Sequence, residues 1–162
     1  MSTVSIVLGS DSDIEVFERA ARVLTELEVA FEQRIISAHR TPDSLREYIK
    51  DAEKRGILVF IAAAGMAAAL PGAIASHTVL PVIGVPSVSK SPILGFDSIF
   101  SILQMPPGVP VACVSVNGGE NAALLAVQIL ALKDESMKKR LLSYLKRMKE
   151  NVRDKDRKFR DR

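Results

Sequence analysis

The segment SAHRTP, residues 37–42, contains His39, one of the two histidines in a chain of 162 residues, directly followed by Arg40. A histidine can exchange protons near neutral pH. A guanidinium can form paired hydrogen bonds with a phosphate or a carboxylate. Because a single histidine is more often structural than catalytic, these residues alone are compatible with a polar helix entry and with an active site.

The segment GSDSD, residues 9–13, has the residue types of a sugar-phosphate site. Gly9 allows a tight turn, and the hydroxyls of Ser10 and Ser12 together with the free N–H groups of a following helix favour phosphate. Asp13 would repel a phosphate, but its carboxylate can accept hydrogen bonds from a ribose diol. The pattern matches neither the Walker loop nor the GxGxxG fingerprint. A helix cap and a sugar-phosphate site both stay open.

The segment AGMAAALPG, residues 64–72, offers close backbone approach and a small, dry surface, but almost no side-chain chemistry. Such a surface suits an apolar intermediate that water would destroy or disperse. We expect His77 to be structural, at the opposite end of the fold, and Gln104 and Met105 to serve packing. We expect the single cysteine, Cys113, to be a small buried core residue.

Strand-like and helix-like segments alternate along the chain, which predicts a parallel sheet with helices on both faces. In such sheets ligands bind beyond the carboxyl ends of the strands. Each of the five predicted strands is followed by a polar or small-residue segment: residues 9–13, 37–42, 64–72, 86–92 and 117–121. We therefore expect these segments at one rim, which makes a chemical role for the histidine as credible as a structural one.

The composition indicates one α/β domain over residues 1–152, including a C-terminal helix, and a charged tail over residues 153–162 that we expect to be frayed. Residues 133–162 carry 13 Lys/Arg and 6 Asp/Glu. Because acids alternate with these bases and no aromatic ladder accompanies them, we expect no nucleic-acid partner. Residues 56–89 hold no charged side chain, but three prolines interrupt them, so buried strands explain the stretch better than a membrane span.

A single cysteine permits no internal disulfide, and the first residues lack the basic and long apolar regions of a signal peptide. We therefore expect a cytoplasmic protein. The two separated histidines, the single cysteine and the scattered acids have no metal-ligand spacing, and the sequence contains no GxSxG elbow. A metal site and a Ser–His–Asp hydrolase are therefore not expected.

Several motifs, in order and spacing, resemble the PurE family of purine biosynthesis, the carboxyaminoimidazole ribonucleotide mutases, from about Val4 to about Leu132. The motifs are GSDSD, SAHRTP, AAGMAAALPG, PVIGVP, DSIFSILQMPPGVPVA and NAALLAVQIL. The resemblance implies a three-layer α/β/α sandwich with a flavodoxin-like parallel sheet, and a homo-octamer with sites at subunit boundaries. Contacts with other copies would explain the apolar helix 120–133 and an apolar stripe on the last helix: Met137, Leu141, Leu145, Met148 and Val152.

The resemblance implies that the protein moves a carboxylate from the exocyclic nitrogen of carboxyaminoimidazole ribonucleotide to ring carbon four, without a metal or organic cofactor. His39 would be the general acid and base. The family pattern assigns the ribose 5-phosphate portion to Ser10, Ser12 and Asp13, with Arg40 on the phosphate. It assigns the base and carboxylate pocket to Ser37, Ala38, Gly65, Met66, Ala67, Ala69 and Leu70.

Two residues depart from the bacterial mutases of the family, which carry a second glycine where Met66 stands and a histidine where Ala69 stands. The related aminoimidazole ribonucleotide carboxylases use free carbon dioxide. They typically have lysine in place of Arg40 and lack Pro42, so the tetrad HRTP favours the mutase. The carboxylase is the first alternative, and a non-catalytic flavodoxin-like nucleotide-binding module is the second.

Overall fold

The computed structural model of the protein describes residues 2–88 and 93–162. Five parallel strands form one sheet in the order β2-β1-β3-β4-β5. They are β1 (Val4–Leu8), β2 (Phe31–Ile35), β3 (Val59–Gly65), β4 (Val82–Ser87) and β5 (Ala112–Cys113). Because all pairs are parallel, the carboxyl ends of the strands meet at one edge of the sheet.

Within the described residues, six α-helices connect or follow the strands, and a short 3-10 turn over Asp11–Asp13 precedes the first of them. They are α1 (Ile14–Glu26), α2 (Pro42–Lys54), α3 (Ala69–Ala75), α4 (Phe96–Leu103), α5 (Gly119–Ala131) and α6 (Glu135–Arg160). The predicted alternation of strand and helix is therefore confirmed.

Successive side chains of the central strands point to opposite faces of the sheet, and each face is covered by its own helices. On one face α1, α5 and the start of α6 pack against β1 and β3 through residues such as Ile6 and Ile61. On the other face α2, α3 and Ile102 of α4 pack against residues such as Val7 and Phe60. This arrangement confirms the predicted three-layer α/β/α sandwich.

The strand order opens a crevice between β1 and β3. The chain leaves β1 toward α1 on one face of the sheet, whereas it leaves β3 toward α3 on the opposite face. Loops that diverge in this way leave room between them, and flavodoxin-like sheets bind their ligands at this switch point. The fold therefore places the segments after β1 and β3 on opposite sides of a gap.

Helix α2 begins and ends as the sequence predicts. Pro42 occupies its first turn, where its missing N–H costs nothing. Gly56 follows its end with a φ of 94°, a conformation that glycine adopts without strain. The predicted apolar face is buried against the sheet: Leu45, Tyr48, Ile49 and Ala52.

Helices α1 and α5 touch backbone to backbone. A Cβ atom added at Gly119 would lie 2.1 Å from the carbonyl oxygen of Val16 and 3.1 Å from the nitrogen of Ala20. No side chain fits into that gap, so the first residue of α5 has to be glycine. The close approach buries the alanine-rich face of α5 against α1 of the same chain.

The fifth strand is much shorter than predicted. The run VPVACVSV indicates a full strand, but only Ala112 and Cys113 form strand pairs with β4. Pro110 has no N–H to donate, and beyond the strand Val114 adds a single bond to the carbonyl oxygen of Gly84, at 3.1 Å. Cys113 consequently lies in the edge strand and is only partly buried, although it packs against the core as expected.

The predicted fraying of residues 153–162 is also wrong, because α6 continues to Arg160. Asp134 caps the helix by accepting a hydrogen bond from the N–H of Met137 at 2.9 Å. Basic side chains in the last turn favour the negative end of the helix dipole. From residue 146 onward every side chain is nevertheless exposed, including the predicted stripe residues Met148 and Val152.

Candidate active site

A cavity of about 440 Å³ opens at the carboxyl edge of the sheet, in the crevice between β1 and β3. Its volume lies in the range of small-molecule sites. Every residue predicted to catalyse or to bind substrate lines it: Ser10, Ser12, Asp13, Ser37, Ala38, His39, Arg40, Gly65, Met66, Ala67, Ala69 and Leu70. Three further residues, which belong to the quoted motifs but were not predicted to bind substrate, complete the lining: Gly9, Ala64 and Ala68. The fold thus brings the predicted set together, while the role of each residue stays a prediction.

The first wall is the turn after β1. Ser10 has an extended backbone, and its hydroxyl accepts a hydrogen bond from the N–H of Ser12 at 3.3 Å, so it caps the 3-10 turn. The same hydroxyl donates to Asp11 at 2.9 Å. The turn carries Asp13 into a buried position, where a carboxylate oxygen would lie 3.9 Å from a Cβ atom on Gly9. A negative charge is therefore held at the inner end of this wall.

The second wall is the turn before α2, and Ser37 organises it. The carbonyl oxygen of Ser37 accepts hydrogen bonds from the backbone N–H and the hydroxyl of Thr41, at 2.9 and 3.0 Å. Its hydroxyl accepts from the backbone N–H of Arg40 at 3.2 Å and from the guanidinium Nε at 3.4 Å. His39 and Arg40 are both exposed on this turn. They can therefore reach a ligand in the cavity.

The third wall is the loop after β3, which consists of alanine and glycine apart from Met66 and Leu70. A Cβ atom at Gly65 would lie 3.0 Å from the carbonyl oxygen of Ser87 on β4, so glycine allows the two strand ends to stay close. Met66 has a φ of 54°, in the left-handed region, and is 51% exposed. Leu70 is buried beneath the loop.

An outer groove of about 400 Å³ adjoins the cavity. It shares Gly9, Ser10, Ser37 and Arg40 with the cavity and adds Asp11, Ile35 and Thr41. Arg40 therefore lies between the two spaces and can hold an anion in either of them. Sequence reasoning missed the three added residues, although Asp11 and Thr41 belong to the two quoted motifs.

Among the described residues, none of the segments after β4 and β5 lines this cavity within one chain. Asn117 braces the end of β4 instead: its side-chain oxygen accepts from the N–H of Val88 at 3.2 Å, and its own N–H donates to Pro86 at 2.8 Å. Residues 89–92 of the predicted fourth segment lie outside the described residues. Residues 117–121 therefore lie at the carboxyl edge of the sheet, as expected, but they do not line the cavity of a single chain.

The remaining candidates keep structural positions. His77 is exposed between α3 and β4, on the amino side of the sheet, as expected. Met105 packs close to Gly72, where an added Cβ would lie 2.8 Å from its sulfur and 2.7 Å from its methyl group. Within residues 2–88 and 93–162 no group of three or more histidine, cysteine or acidic side chains could hold a metal ion. None of the helices in that part of the chain has the length and apolar character to cross a bilayer.

A second polar cluster lies beneath α2, and sequence reasoning missed it. The hydroxyl of Ser5 on β1 lies 2.6 Å from that of Tyr48, which donates to Glu32 on β2 at 2.5 Å. Arg55 grips the same carboxylate with two nitrogens, one of them at 2.9 Å. Arg34 lies over the ring of Tyr48, 5.0 Å from its centroid. The cluster fixes α2, and the turn with His39 and Arg40 directly precedes that helix.

The cluster shifts the acidity of its members. Burial, reinforced by the hydrogen bond to Glu32, raises the pKa of Tyr48 to about 12. The hydrogen bond from Arg55 lowers the pKa of Glu32 below its usual value, and the bond from Tyr48 adds to this against the opposing effect of burial. Both groups therefore keep one charge state over the physiological range, which suits a structural role.

Comparison with known proteins gives one consistent result. The family model described as AIR carboxylase matches residues 3–151. An N5-carboxyaminoimidazole ribonucleotide mutase of Pyrococcus abyssi is 54% identical over 149 residues, which cover 92% of this chain and 85% of that one. A protein of the same name from Thermotoga maritima is 52% identical over 155 residues, or 96% and 90% of the two chains.

Solved structures agree with the sequence relatives. The crystal structure of Treponema denticola PurE superimposes with a TM-score of 0.83 at 31% identity, and the match covers 96% of each chain. The predicted flavodoxin-like α/β fold is thereby confirmed.

Proposed function

The chain belongs to the AIR carboxylase family, and we propose that it is the mutase of purine biosynthesis that converts N5-carboxyaminoimidazole ribonucleotide into the isomer carboxylated at ring carbon four. The protein is then an isomerase acting on a small-molecule substrate. The observation that carries this proposal is the cavity itself, because it joins a histidine, an arginine, a buried carboxylate and a small apolar wall. Relatives named as the mutase, with about half of their residues identical over most of the chain, favour it over the carboxylase.

We assign the ribose 5-phosphate portion to the first wall and to Arg40. The hydroxyls of Ser10 and Ser12 can donate to the phosphate, and the guanidinium can form paired hydrogen bonds with it from the opposite wall. The buried carboxylate of Asp13 suits the ribose hydroxyls, since it accepts hydrogen bonds and repels the phosphate. The base then points toward Ser37, Ala38 and the loop after β3.

We assign the proton transfers to His39. When the bond between the exocyclic nitrogen and the carboxylate carbon breaks, its electron pair stays on nitrogen, and His39 supplies the proton that nitrogen needs. Ring carbon four then attacks the released carbon dioxide, and His39 takes up the proton from that carbon. One proton is given and one is taken, so the cycle closes without a cofactor. An exposed imidazole on a turn can make both transfers.

The alanine and glycine wall serves the intermediate. Carbon dioxide is neutral and apolar, so the protein can hold it only by confining it beside the ring. Gly65, Ala67 and Ala69 offer a smooth surface without a competing nucleophile. The absence of a histidine at residue 69 removes a polar contact near the carboxylate, and His39 alone then handles the protons.

We also propose a cytoplasmic homo-oligomer, with an octamer as the expected state and no nucleic-acid or membrane partner. Helix α4 supports the oligomer, because Phe96, Phe100 and Leu103 are each more than half exposed and the two rings stack 6.4 Å apart. Such contiguous apolar surface is unusual on a monomer. Helix α5, by contrast, packs mainly on α1 and α6 of its own chain. Sedimentation analysis of wild-type protein and of Phe100→Glu would test this surface.

The deciding experiment compares two substrates. Purified protein receives either the N-carboxy ribonucleotide, or aminoimidazole ribonucleotide with bicarbonate, and initial rates are compared at low substrate. We expect efficient turnover of the N-carboxy compound. Efficient turnover with bicarbonate alone would make the protein the free-carbon-dioxide carboxylase. Binding of either nucleotide with no turnover of any substrate would favour the non-catalytic module.

A further inference from the structure

We propose that the side chain of Met66 is a cap that keeps the released carbon dioxide in the cavity until ring carbon four attacks it. The inference rests on the proposed mutase reaction and assigns this residue a task that a glycine could not perform. Three observations carry it: the backbone conformation of Met66, the composition of its loop, and the place of its side chain in the lining.

The backbone at residue 66 is one that glycine adopts more readily than methionine. Gly65 lies tight against the carbonyl oxygen of Ser87 at the end of β3. The following residue, Met66, has a φ of 54°. Side chains with a Cβ atom are disfavoured there. A methionine in this position therefore has a less favourable backbone conformation than glycine would have, which points to a role for its side chain.

Among the described residues that line the cavity, Met66 is the one with a long apolar side chain that is also exposed. Residues 64–69 read AGMAAA, so no neighbour in the loop extends beyond a methyl group. Leu70 also lines the cavity, but it is buried, whereas Met66 is 51% exposed. An unbranched thioether side chain is flexible enough to cover openings of irregular shape. Met66 can therefore close over a ligand seated between the loop and the turn of His39.

The reaction gives such a cap a purpose. Breaking the nitrogen–carbon bond leaves aminoimidazole ribonucleotide and carbon dioxide, and the same carbon dioxide must form the new bond to ring carbon four. The ribonucleotide is held by its phosphate and ribose, but carbon dioxide has no charge by which it can be held. An apolar cover slows its escape and excludes bulk water. The cap would thus set the fraction of turnovers that keep the original carbon.

The test is a single-turnover isotope experiment with enzyme in excess. Unlabelled N-carboxy ribonucleotide is mixed with enzyme in ¹³C-bicarbonate buffer that contains carbonic anhydrase, and mass spectrometry gives the labelled fraction of the product. We expect little label with the wild type and severalfold more with Met66→Gly, together with release of free aminoimidazole ribonucleotide. Met66→Leu keeps the apolar bulk and should label much less than the glycine variant.

Glu28→Gly is the matched control. Glu28 has a φ of 55° and ends α1 on the amino side of the sheet, so the variant relieves a similar backbone conformation far from the cavity. It should label like the wild type, and neither glycine variant should melt below it. Equal label in wild type and Met66→Gly, or in Met66→Leu and Met66→Gly, would overturn the cap. Absence of any product from the N-carboxy compound with the wild type would instead overturn the proposed function, and the cap with it.

Discussion

Polar side chains of similar kinds lie near the two ends of α2, but they are exposed before the amino end and paired within the protein toward the carboxyl end. At the amino end, His39 and Arg40 are exposed on a turn, and the hydroxyl of Ser37 holds the arginine. At the carboxyl end, Arg55 is bound to the carboxylate of Glu32, which also accepts a hydrogen bond from Tyr48 in the middle of the helix. The first end keeps its side chains available to a ligand, whereas the second satisfies them within the protein.

This difference predicts that changes at the two ends are separable. Substitutions at the amino end should alter turnover and leave stability in place, because few native contacts are lost. Substitutions at the carboxyl end should lower stability and leave turnover in place, provided that the folded helix keeps its position. A variant that strongly changes both turnover and stability would show that the two ends are not separable.

His39→Asn should have the largest effect. Loss of general acid and base catalysis should lower kcat by about 10²- to 10⁴-fold. Binding of the nucleotide should be largely kept, because asparagine has a similar size and removes no contact to the phosphate. Stopped-time product assays and calorimetric titration with aminoimidazole ribonucleotide measure the two quantities. Unchanged kcat would remove His39 from the mechanism, and a lowered melting temperature would give it a structural role.

Arg40→Lys should have the next largest effect. Lysine keeps the positive charge but loses the planar fork that pairs with a phosphate, so KM should rise by about tenfold or more. The effect on kcat should be smaller, since the phosphate lies away from the reacting carbon. Arg46→Lys, on the helix that follows this turn and outside the cavity lining, is the control. A fall in kcat at unchanged KM would contradict a binding role.

Tyr48→Phe should lower stability without changing the kinetics. The variant removes the hydroxyl that joins Ser5 to Glu32 and leaves a buried serine without its partner. We expect the free energy of unfolding to fall by about 1–2 kcal/mol. Urea unfolding provides the measurement, and Tyr144→Phe on α6 is the matched control. An altered KM or kcat at full folding would show that the cluster also tunes the site.

Glu32 should give the carboxyl end a pH dependence of stability. Its folded pKa is lowered below 4.5 by Arg55, so between the two pKa values the unfolded chain binds more protons. Its contribution to stability is therefore fully present above about pH 4.5 and is lost as the pH falls through the lowered value. Urea unfolding between pH 3 and 6 should show a shallower slope for Glu32→Gln than for the wild type. Parallel curves would contradict the ion pair.

Deletion of residues 153–162 should have the smallest effect. The segment is helical, but all its side chains are exposed and none belongs to either core cluster. Rates and melting temperature should change little. A large loss of turnover on deletion would bring a contact with another copy or a nucleic acid back into consideration.

Sequence reasoning reached the fold and the cavity because both depend on local pattern. Apolar runs predict the central strands, and polar or small segments after β1, β2 and β3 must meet at one edge of a parallel sheet. The prediction for β5 was wrong because strand length depends on tertiary pairing. The sequence pattern indicates a full strand, but only two residues pair with β4. The prediction of a frayed tail was wrong for a different reason. The charged residues of the tail are good helix formers, and a helix that is capped at its start continues through them.

The details that geometry alone decides were out of reach. The Ser5, Glu32 and Tyr48 cluster joins residues from two strands and a helix, and no spacing in the sequence marks it. The left-handed conformation of Met66, and the close approach of Gly65 to the carbonyl oxygen of Ser87 on another strand, have no mark in the local sequence. The absence of residues 117–121 from the cavity likewise depends on the bonds of Asn117 to the end of β4.

The backbone contact between Gly119 and Val16 has a consequence for mutational tolerance. Among the described residues, Gly119 is not part of the lining of the active-site cavity or of the adjoining groove. Every substitution there nevertheless forces α1 and α5 apart. A saturation scan would score this position as intolerant as His39. We expect only the kind of failure to separate them: Gly119 variants should lose soluble protein, whereas His39 variants should accumulate as folded, inactive protein. A map of fitness alone would therefore misread Gly119 as a functional residue, although its role is to allow the close packing of two helices.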